Sequence, residues 1–184
     1  MMVKNTHTQY GAVSKTLHWL IGLTIIGLLT VGLYMEGLDA SPLKFQIYGL
    51  HKAIGIIVLA AFFVRIFWRF TNIVPHALPS HKSWEKFLAH SVHLLLYVAM
   101  IGMPISGWAM SSAAGYPVDM FGLFTLPHLV EKDEGLSDLM REVHAIMGYG
   151  LIAAICLHVA GALKHHVLDK DNTLKRMLPG HIEE

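Results

Sequence analysis

The sequence has little cysteine and little charge, and both shortages narrow the classes of protein that it can encode. Its 184 residues include one cysteine, Cys156, which excludes an intramolecular disulfide, an iron–sulfur cluster and a cysteine-rich zinc site. Charged residues make up 15%, against about 25% in typical soluble domains. The formal net charge of +1 gives no basic excess for binding nucleic acid, and the chain is too apolar to be disordered.

What the sequence does have is apolar residues, at 54%, and thirteen histidines. A membrane helix needs about 20 mostly apolar residues, and four stretches qualify: 17–34, 50–68, 87–110 and 143–163. They predict an all-α integral membrane protein, a four-helix bundle formed by a single transmembrane domain over residues 1–184. The first stretch contains His18 and Trp19 and is not followed by a small-residue cleavage site, so we interpret it as a retained helix and not a signal peptide.

Lysine and arginine are distributed unevenly over the two sides of the predicted bundle. The side with both termini and the 69–86 connection has ten of them, and the opposite side has four, Lys44, Lys52, Lys132 and Arg141. Because cytoplasmic segments are enriched in these residues, both termini are predicted to be cytoplasmic. On the other side the longest connection runs from 111 to 141. A short surface helix is predicted over 169–177, with Lys170, Lys175 and Arg176 facing lipid headgroups.

Four of the histidines form two pairs by depth. His144 and His158 are fourteen residues apart on the fourth stretch, which corresponds to about 21 Å along a helix and only about 40° of rotation. His18 lies near the cytoplasmic end of the first stretch, and His51 near the outer end of the second. The expected pairs are therefore His18 with His158 and His51 with His144.

Facing imidazoles in an apolar bundle favour two b-type haems, each held by two histidines. Zinc normally takes four ligands at one depth, often with cysteine or carboxylate among them, and the stretches do not offer such a set. A proton relay would need titratable groups at intermediate depth, but between His144 and His158 the sequence has only Ala, Ile, Met, Gly, Tyr, Leu and Cys. A non-redox metal transporter lined with histidines is the remaining alternative.

Glycine spacing is consistent with haem ligation at the same four positions, since a flat macrocycle needs a neighbouring turn without a bulky side chain. Three of the four histidines have glycine at i+4 and His158 has it at i+3; these glycines are Gly22, Gly55, Gly148 and Gly161. The other histidines in the stretches, His90 and His93, have Leu94 and Tyr97 at i+4. Glycine is also common in membrane helices for packing alone.

The other candidates have open interpretations. His93 lies near the depth of the inner pair, and His165 and His166 follow His158; they could contact a quinone carbonyl, a haem propionate or headgroups. Arg65 is either a propionate partner for the inner haem or a cytoplasmic anchor. We interpret His90 as interfacial. The remaining histidines are interpreted as solvated loop or tail residues: His7, His76, His81, His128 and His181.

Several sequence motifs together resemble the bacterial cytochrome b561 family. They cover nearly the whole chain: Tyr10-Gly11-x-x-Ser14, Leu17-His18-Trp19-Leu20, Leu50-His51-Lys52-x-x-Gly55, Val64-Arg65-x-x-Trp68-Arg69, Ala89-His90-x-x-His93-x-x-Leu96-Tyr97, Pro104-Ile105-Ser106-Gly107 and Leu163-Lys164-His165-His166-x-x-x-Asp169-Lys170-Asp171-Asn172-Thr173-Leu174-Lys175-Arg176-Met177. The last of these is the most specific.

The resemblance implies a four-helix dihaem protein of the bacterial inner membrane, in a family that includes superoxide oxidase. The family's haem ligands correspond to His18, His51, His144 and His158, and its quinone-side histidines to His93 and His165. Electrons would then pass from periplasmic superoxide to ubiquinone. The alternative is a haem subunit that accepts electrons from a periplasmic donor protein or dehydrogenase and reduces quinone.

Overall fold

Four long helices make up most of the protein in the computed structural model, which describes residues 2–78 and 81–179. They are α1 (Ala12–Glu36), α2 (Pro42–Phe70), α3 (Ser83–Ala113) and α4 (Glu134–Val167). Each is long and apolar enough to cross a membrane. The predicted all-α architecture with four membrane-spanning helices is therefore confirmed.

Every helix extends beyond the apolar stretch that predicted it, because polar residues form its ends. Ser41 accepts a hydrogen bond from the backbone N–H of Lys44 and is followed by proline, which suits the first turn of a helix. At the start of α4 the Asp133 carboxylate accepts from the N–H of Leu136, a favourable N-cap. As a result α4 begins at Glu134, well before the predicted residue 143.

The connection between α3 and α4 is correspondingly shorter than the predicted 111–141 and contains a small hairpin. Strands β1 (Val118–Asp119) and β2 (Thr125–Leu126) pair antiparallel. The turn between them has Phe121 and Gly122 at φ of 57° and 75°, a left-handed conformation that costs little only for glycine. Val118, 1% exposed, packs with Ala53 and Met120 and fixes the hairpin on α2.

The helices pack in a chain, with α1 on α2, α2 on α3 and α3 along α4. A buried cluster joins all four and has Ile21, Phe62, Met100 and Leu151 among its members. Most other large apolar side chains on the helices are exposed, as expected of a surface in contact with lipid. Direct packing of α4 on α1 or α2 is minor in the described residues, which leaves side chains to bridge those helices.

Three polar segments cover the end of the bundle that holds both termini: the N-terminal segment, the connection between α2 and α3, and the C-terminal segment. In the N-terminal segment, the Asn5 side chain accepts from the N–H of Gly11 and donates to the carbonyl of Ile73. A Cβ at Gly11 would lie 2.4 Å from the carbonyl oxygen of Val3, so only glycine lets this segment fold back. In the C-terminal segment, Arg176 donates to the carbonyl of His76.

The predicted surface helix over 169–177 is wrong in extent, because only Lys175–Met177 form a single 3-10 turn. Asp169 and Asp171 face side chains of other segments. Lys170 has φ of 54°, which is incompatible with a continuous helix. Side-chain contacts therefore determine the path of this segment.

Candidate functional site

Two pairs of histidine rings bridge helices near opposite ends of the bundle. His18 of α1 faces His158 of α4, with ring centroids 6.0 Å apart and ring planes at 61°. His51 of α2 faces His144 of α4, with centroids 6.4 Å apart and planes at 73°. The structure thus brings together the histidines that the sequence paired by depth.

The spacing within each pair fits two imidazoles on opposite sides of one metal ion. A metal ion lies about 2.0 Å from an imidazole nitrogen, so the two nitrogens would be about 4 Å apart and the ring centroids roughly 6 Å apart. Two rings in direct hydrogen-bonded contact would instead bring their nitrogens to about 3 Å. Both observed centroid separations agree with an ion between the rings.

A hydrogen bond that His144 donates to Ser106 of α3 sets the tautomer of His144. The Ser106 hydroxyl donates to the carbonyl of Met103 at 2.9 Å and lies 3.0 Å from His144 Nδ1. Because its single proton is used, Ser106 can only accept from His144, whose proton is then on Nδ1. The lone pair of Nε2 is left free to bind a metal, the usual arrangement for a histidine ligand. Sequence reasoning did not identify Ser106 as part of the site.

Close glycines on neighbouring helices hold the rings of the second pair. A Cβ at Gly107 of α3 would lie 3.1 Å from His144 Cε1, and one at Gly32 of α1 would lie 3.5 Å from His51 Cε1. His51 Nδ1 is buried without a hydrogen-bond partner, which is costly unless a further group satisfies the ring. At Gly22, Gly55 and Gly161 a Cβ would meet no atom within 4 Å, which is compatible with faces left for a flat ligand.

The pair formed by His18 and His158 has two further polar neighbours. Arg65 Nη1 lies 3.2 Å from His18 Nδ1, and His93 lies beside His158 with ring centroids 5.4 Å apart. His93 is on α3 and is exposed at the surface of the bundle. This end therefore combines three histidines with one guanidinium, which can bind a carboxylate.

His165 lies in a separate cluster beyond this pair. Its ring packs on His81 at a centroid distance of 4.3 Å, and its Nδ1 is 2.8 Å from Asp169 and 3.1 Å from Asp171. Burial acts to raise the pKa of Asp171, but hydrogen bonds from Thr173 and His81 outweigh it and hold that pKa below its usual range. The sequence interpretation of His81 as a solvated loop residue is wrong, since His81 also contacts Asp171.

The other histidines of the described residues lie away from both pairs. His90 is exposed and its Nδ1 is 2.6 Å from the Lys86 carbonyl of the same helix, so it is available as a control position. His7 and His76 stack on each other at 5.3 Å, and His128 is exposed. His181 is outside the described residues.

Comparison with known proteins assigns the chain to a family. Residues 9–180 match the family described as prokaryotic cytochrome b561. The chain belongs to the prokaryotic cytochrome b561 family. It is therefore a membrane haem protein with b-type haem, which leaves the metal-transporter alternative without support. Together with the four membrane-spanning helices, membership places it as a multi-pass protein of the bacterial inner membrane.

Relatives align with this family member over nearly their whole length. Cytochrome b561 homolog 2 of Escherichia coli (strain K12) is 34% identical over 179 residues, covering 97% of this chain and 95% of the relative. Cytochrome b561 homolog 1 of the same organism is 30% identical over 176 residues, covering 90% and 96%. A protein named probable superoxide oxidase CybB, from Yersinia pestis, is 29% identical over 173 residues, covering 94% and 97%.

Proposed function

We propose that the chain holds two b haems and carries electrons across the bacterial inner membrane. His18 and His158 would hold one haem, and His51 and His144 the other. The observation that carries the proposal is the presence of two separate ring pairs at metal-bridging distance. Along α4 they are about 21 Å apart, so one lies near each membrane surface.

The distribution of positive charge supports an orientation with both termini in the cytoplasm. Ten lysines and arginines lie at the end with the termini, against four at the other, and cytoplasmic segments carry this excess. The pair formed by His18 and His158 is then the inner pair. The pair formed by His51 and His144 is the outer pair, on the periplasmic side.

The protein side chains determine how each haem is held and which chemistry is excluded. Bound haem supplies a one-electron carrier at each side of the membrane. With two histidines holding each haem, these residues would disfavour oxygen binding or peroxidation at the metal. At the inner pair Arg65 is the cation available to a propionate, and ligation through His18 Nε2 requires Arg65 to release Nδ1.

Superoxide is the proposed electron donor at the outer end. One relative is named a probable superoxide oxidase, and the outer pair has a cation close by in the chain. Lys52 follows His51 and donates through its ammonium to Ser111 Oγ and the Pro117 carbonyl, both at 3.0 Å. These acceptors are uncharged, so they leave the positive charge of Lys52 available to attract an anion.

Ubiquinone is the proposed acceptor at the inner end, where two electrons and two protons convert it to the quinol. His93 and His165 are the proposed quinone-side residues. His93 is exposed beside His158, within reach of a molecule dissolved in lipid. His165 is in contact with Asp169 and Asp171, so it is the less available of the two.

The donor can be tested by mixing superoxide with the purified protein reconstituted in vesicles that contain ubiquinone. We expect two superoxide ions and two protons to convert one ubiquinone to quinol, with release of two O₂. The reaction is monitored through the formation of quinol and through the haem absorbance. Absence of haem reduction by superoxide at a useful rate would exclude the oxidase activity.

Lys52→Gln gives the matched variant for this experiment. We expect the second-order rate constant of haem reduction to fall roughly three- to tenfold at low salt. This is part of the roughly 10- to 10³-fold increase in association rate that charged clefts provide. The dependence of the rate on salt should also weaken. Lys44→Gln removes the same charge farther from His51 on the same helix and should change the rate less. Equal effects of the two variants would contradict a local action of Lys52.

The second candidate is a periplasmic donor protein that docks on the outer connection. The hairpin exposes three large apolar side chains, Phe121, Leu123 and Phe124, and exposed apolar patches mark interaction surfaces. Protein that superoxide does not reduce, but whose haem is reduced by a periplasmic fraction, would favour this function.

A further inference from the structure

Two histidines and one aspartate meet outside the haem-binding pairs, at the end of the bundle that holds both termini. His81 precedes α3, His165 lies in the last turn of α4, and Asp171 lies in the C-terminal segment. Their side chains are 16%, 13% and 11% exposed. Three segments that are distant in sequence thus contribute one potential ligand each to a largely buried cluster.

Two of the three distances within the cluster are compatible with the coordination sphere of zinc. Asp171 Oδ2 lies 3.2 Å from His81 Nε2 and 3.1 Å from His165 Nδ1. The ligand atoms of all three residues lie within 4.8 Å of one another. Zinc bonds of about 2.0–2.2 Å in a tetrahedron separate adjacent ligand atoms by about 3.3 Å. The two nitrogens and the Asp171 oxygen would therefore need to move only slightly to bind an ion.

Hydrogen bonding does not account for the position of His165. Its Nδ1 is buried and makes no hydrogen bond of acceptable geometry, although carboxylate oxygens of Asp169 and Asp171 lie 2.8 Å and 3.1 Å away. This nitrogen lies close to the two oxygens but is not directed at either of them. Such a geometry is expected when the nitrogen and an oxygen are both directed at a common ion.

A second group, Glu85, His165 and Asp169, is less suited to a cation. The ammonium of Lys164 contacts both Glu85 and Asp169, so it already neutralises those carboxylates and occupies the space between them. No such ammonium contacts Asp171 among the ion pairs of the described residues. The set formed by His81, His165 and Asp171 is thus the one open to a metal.

We propose that His81, His165 and Asp171 bind one Zn²⁺ ion, with water in the fourth position. Two imidazoles and a carboxylate are common protein ligands of zinc. Because the three ligands belong to different segments, the ion would tie the connection before α3 and the C-terminal segment to the end of α4. His165 would bind the ion through Nδ1, so only its Nε2 would be left for the proposed contact with quinone. The proposal does not depend on the number of haems or on the electron donor.

The site can be tested on the untagged haem-loaded protein, purified in detergent and stripped of metal with EDTA. Calorimetric titration with ZnCl₂ is expected to show one tight site per chain. X-ray absorption at the zinc edge is expected to show two imidazole ligands with oxygen donors. His81→Ala and the nearly isosteric Asp171→Asn should each weaken binding by at least about tenfold.

Matched controls separate this site from other histidines and from the neighbouring acidic group. His76→Ala, in the same connection, and Glu85→Gln should keep the wild-type affinity, and an unchanged Soret band checks that each variant is folded. The proposal is overturned if the wild type binds no zinc. It is also overturned if His81→Ala and Asp171→Asn bind as tightly as the wild type, or if Glu85→Gln is the variant that loses the ion.

Discussion

His144→Ala should produce a protein that keeps one haem and loses the other. His144 is a proposed ligand of the outer haem, and its Nδ1–H donates to Ser106, which leaves its Nε2 free to bind the metal. The inner pair is about 21 Å away along α4 and should be unaffected. Haem per chain, measured as the pyridine haemochromogen, is expected to halve, and one of two transitions should disappear from a redox titration.

The matched control is His90→Ala, which removes a histidine from a membrane-spanning helix without touching either pair. His90 is exposed and faces a carbonyl of its own helix, so both haems should remain. If His144→Ala instead lost both haems equally while remaining folded, or lost neither, the assignment of His51 and His144 to one haem would be wrong.

At the inner end, His18→Ala should lower the haem content and His93→Ala should leave it unchanged. Both rings neighbour His158, but the His18 centroid is 6.0 Å from it and the His93 centroid 5.4 Å. The first distance is the closer to the roughly 6 Å of rings that share one metal ion. His18→Ala should therefore lose the inner haem.

His93→Ala should keep both haems and slow quinone reduction. Loss of one hydrogen bond to the quinone, worth about 1.4 kcal/mol, corresponds to roughly tenfold in rate at subsaturating quinone. Haem content and quinol formation measured on the same preparations separate the two outcomes. Loss of a haem in His93→Ala with its retention in His18→Ala would exchange the assigned functions of the two residues.

The sequence predicted the helices where hydrophobicity dominates and failed at their polar ends. Apolar length was enough to find all four spans, because a bilayer demands it. The start of α4 was misplaced since Glu134 and its neighbours are polar, although Asp133 followed by Glu134 is a helix-start signal. The segment over 169–177 was predicted as helix because its tertiary contacts, such as that of His81 with Asp171, are not visible in a periodic pattern.

The same limit applies to the candidate site. Helical spacing brought His144 and His158 to one face, and depth added His18 and His51, so the composition of both pairs could be predicted. Ser106 could not, because its contact with His144 depends on how α3 rotates against α4. His81 was also missed, since nothing local to a connection between helices indicates which distant carboxylate will reach it.

The most direct test of the account is the haem content of the purified protein, expressed with haem available, together with its reduced-minus-oxidised spectrum. Two separate histidine pairs predict two haems per chain and difference bands typical of b-type cytochromes. One haem per chain would contradict the assignment of both pairs, and a spectrum without b-type bands would contradict the account as a whole.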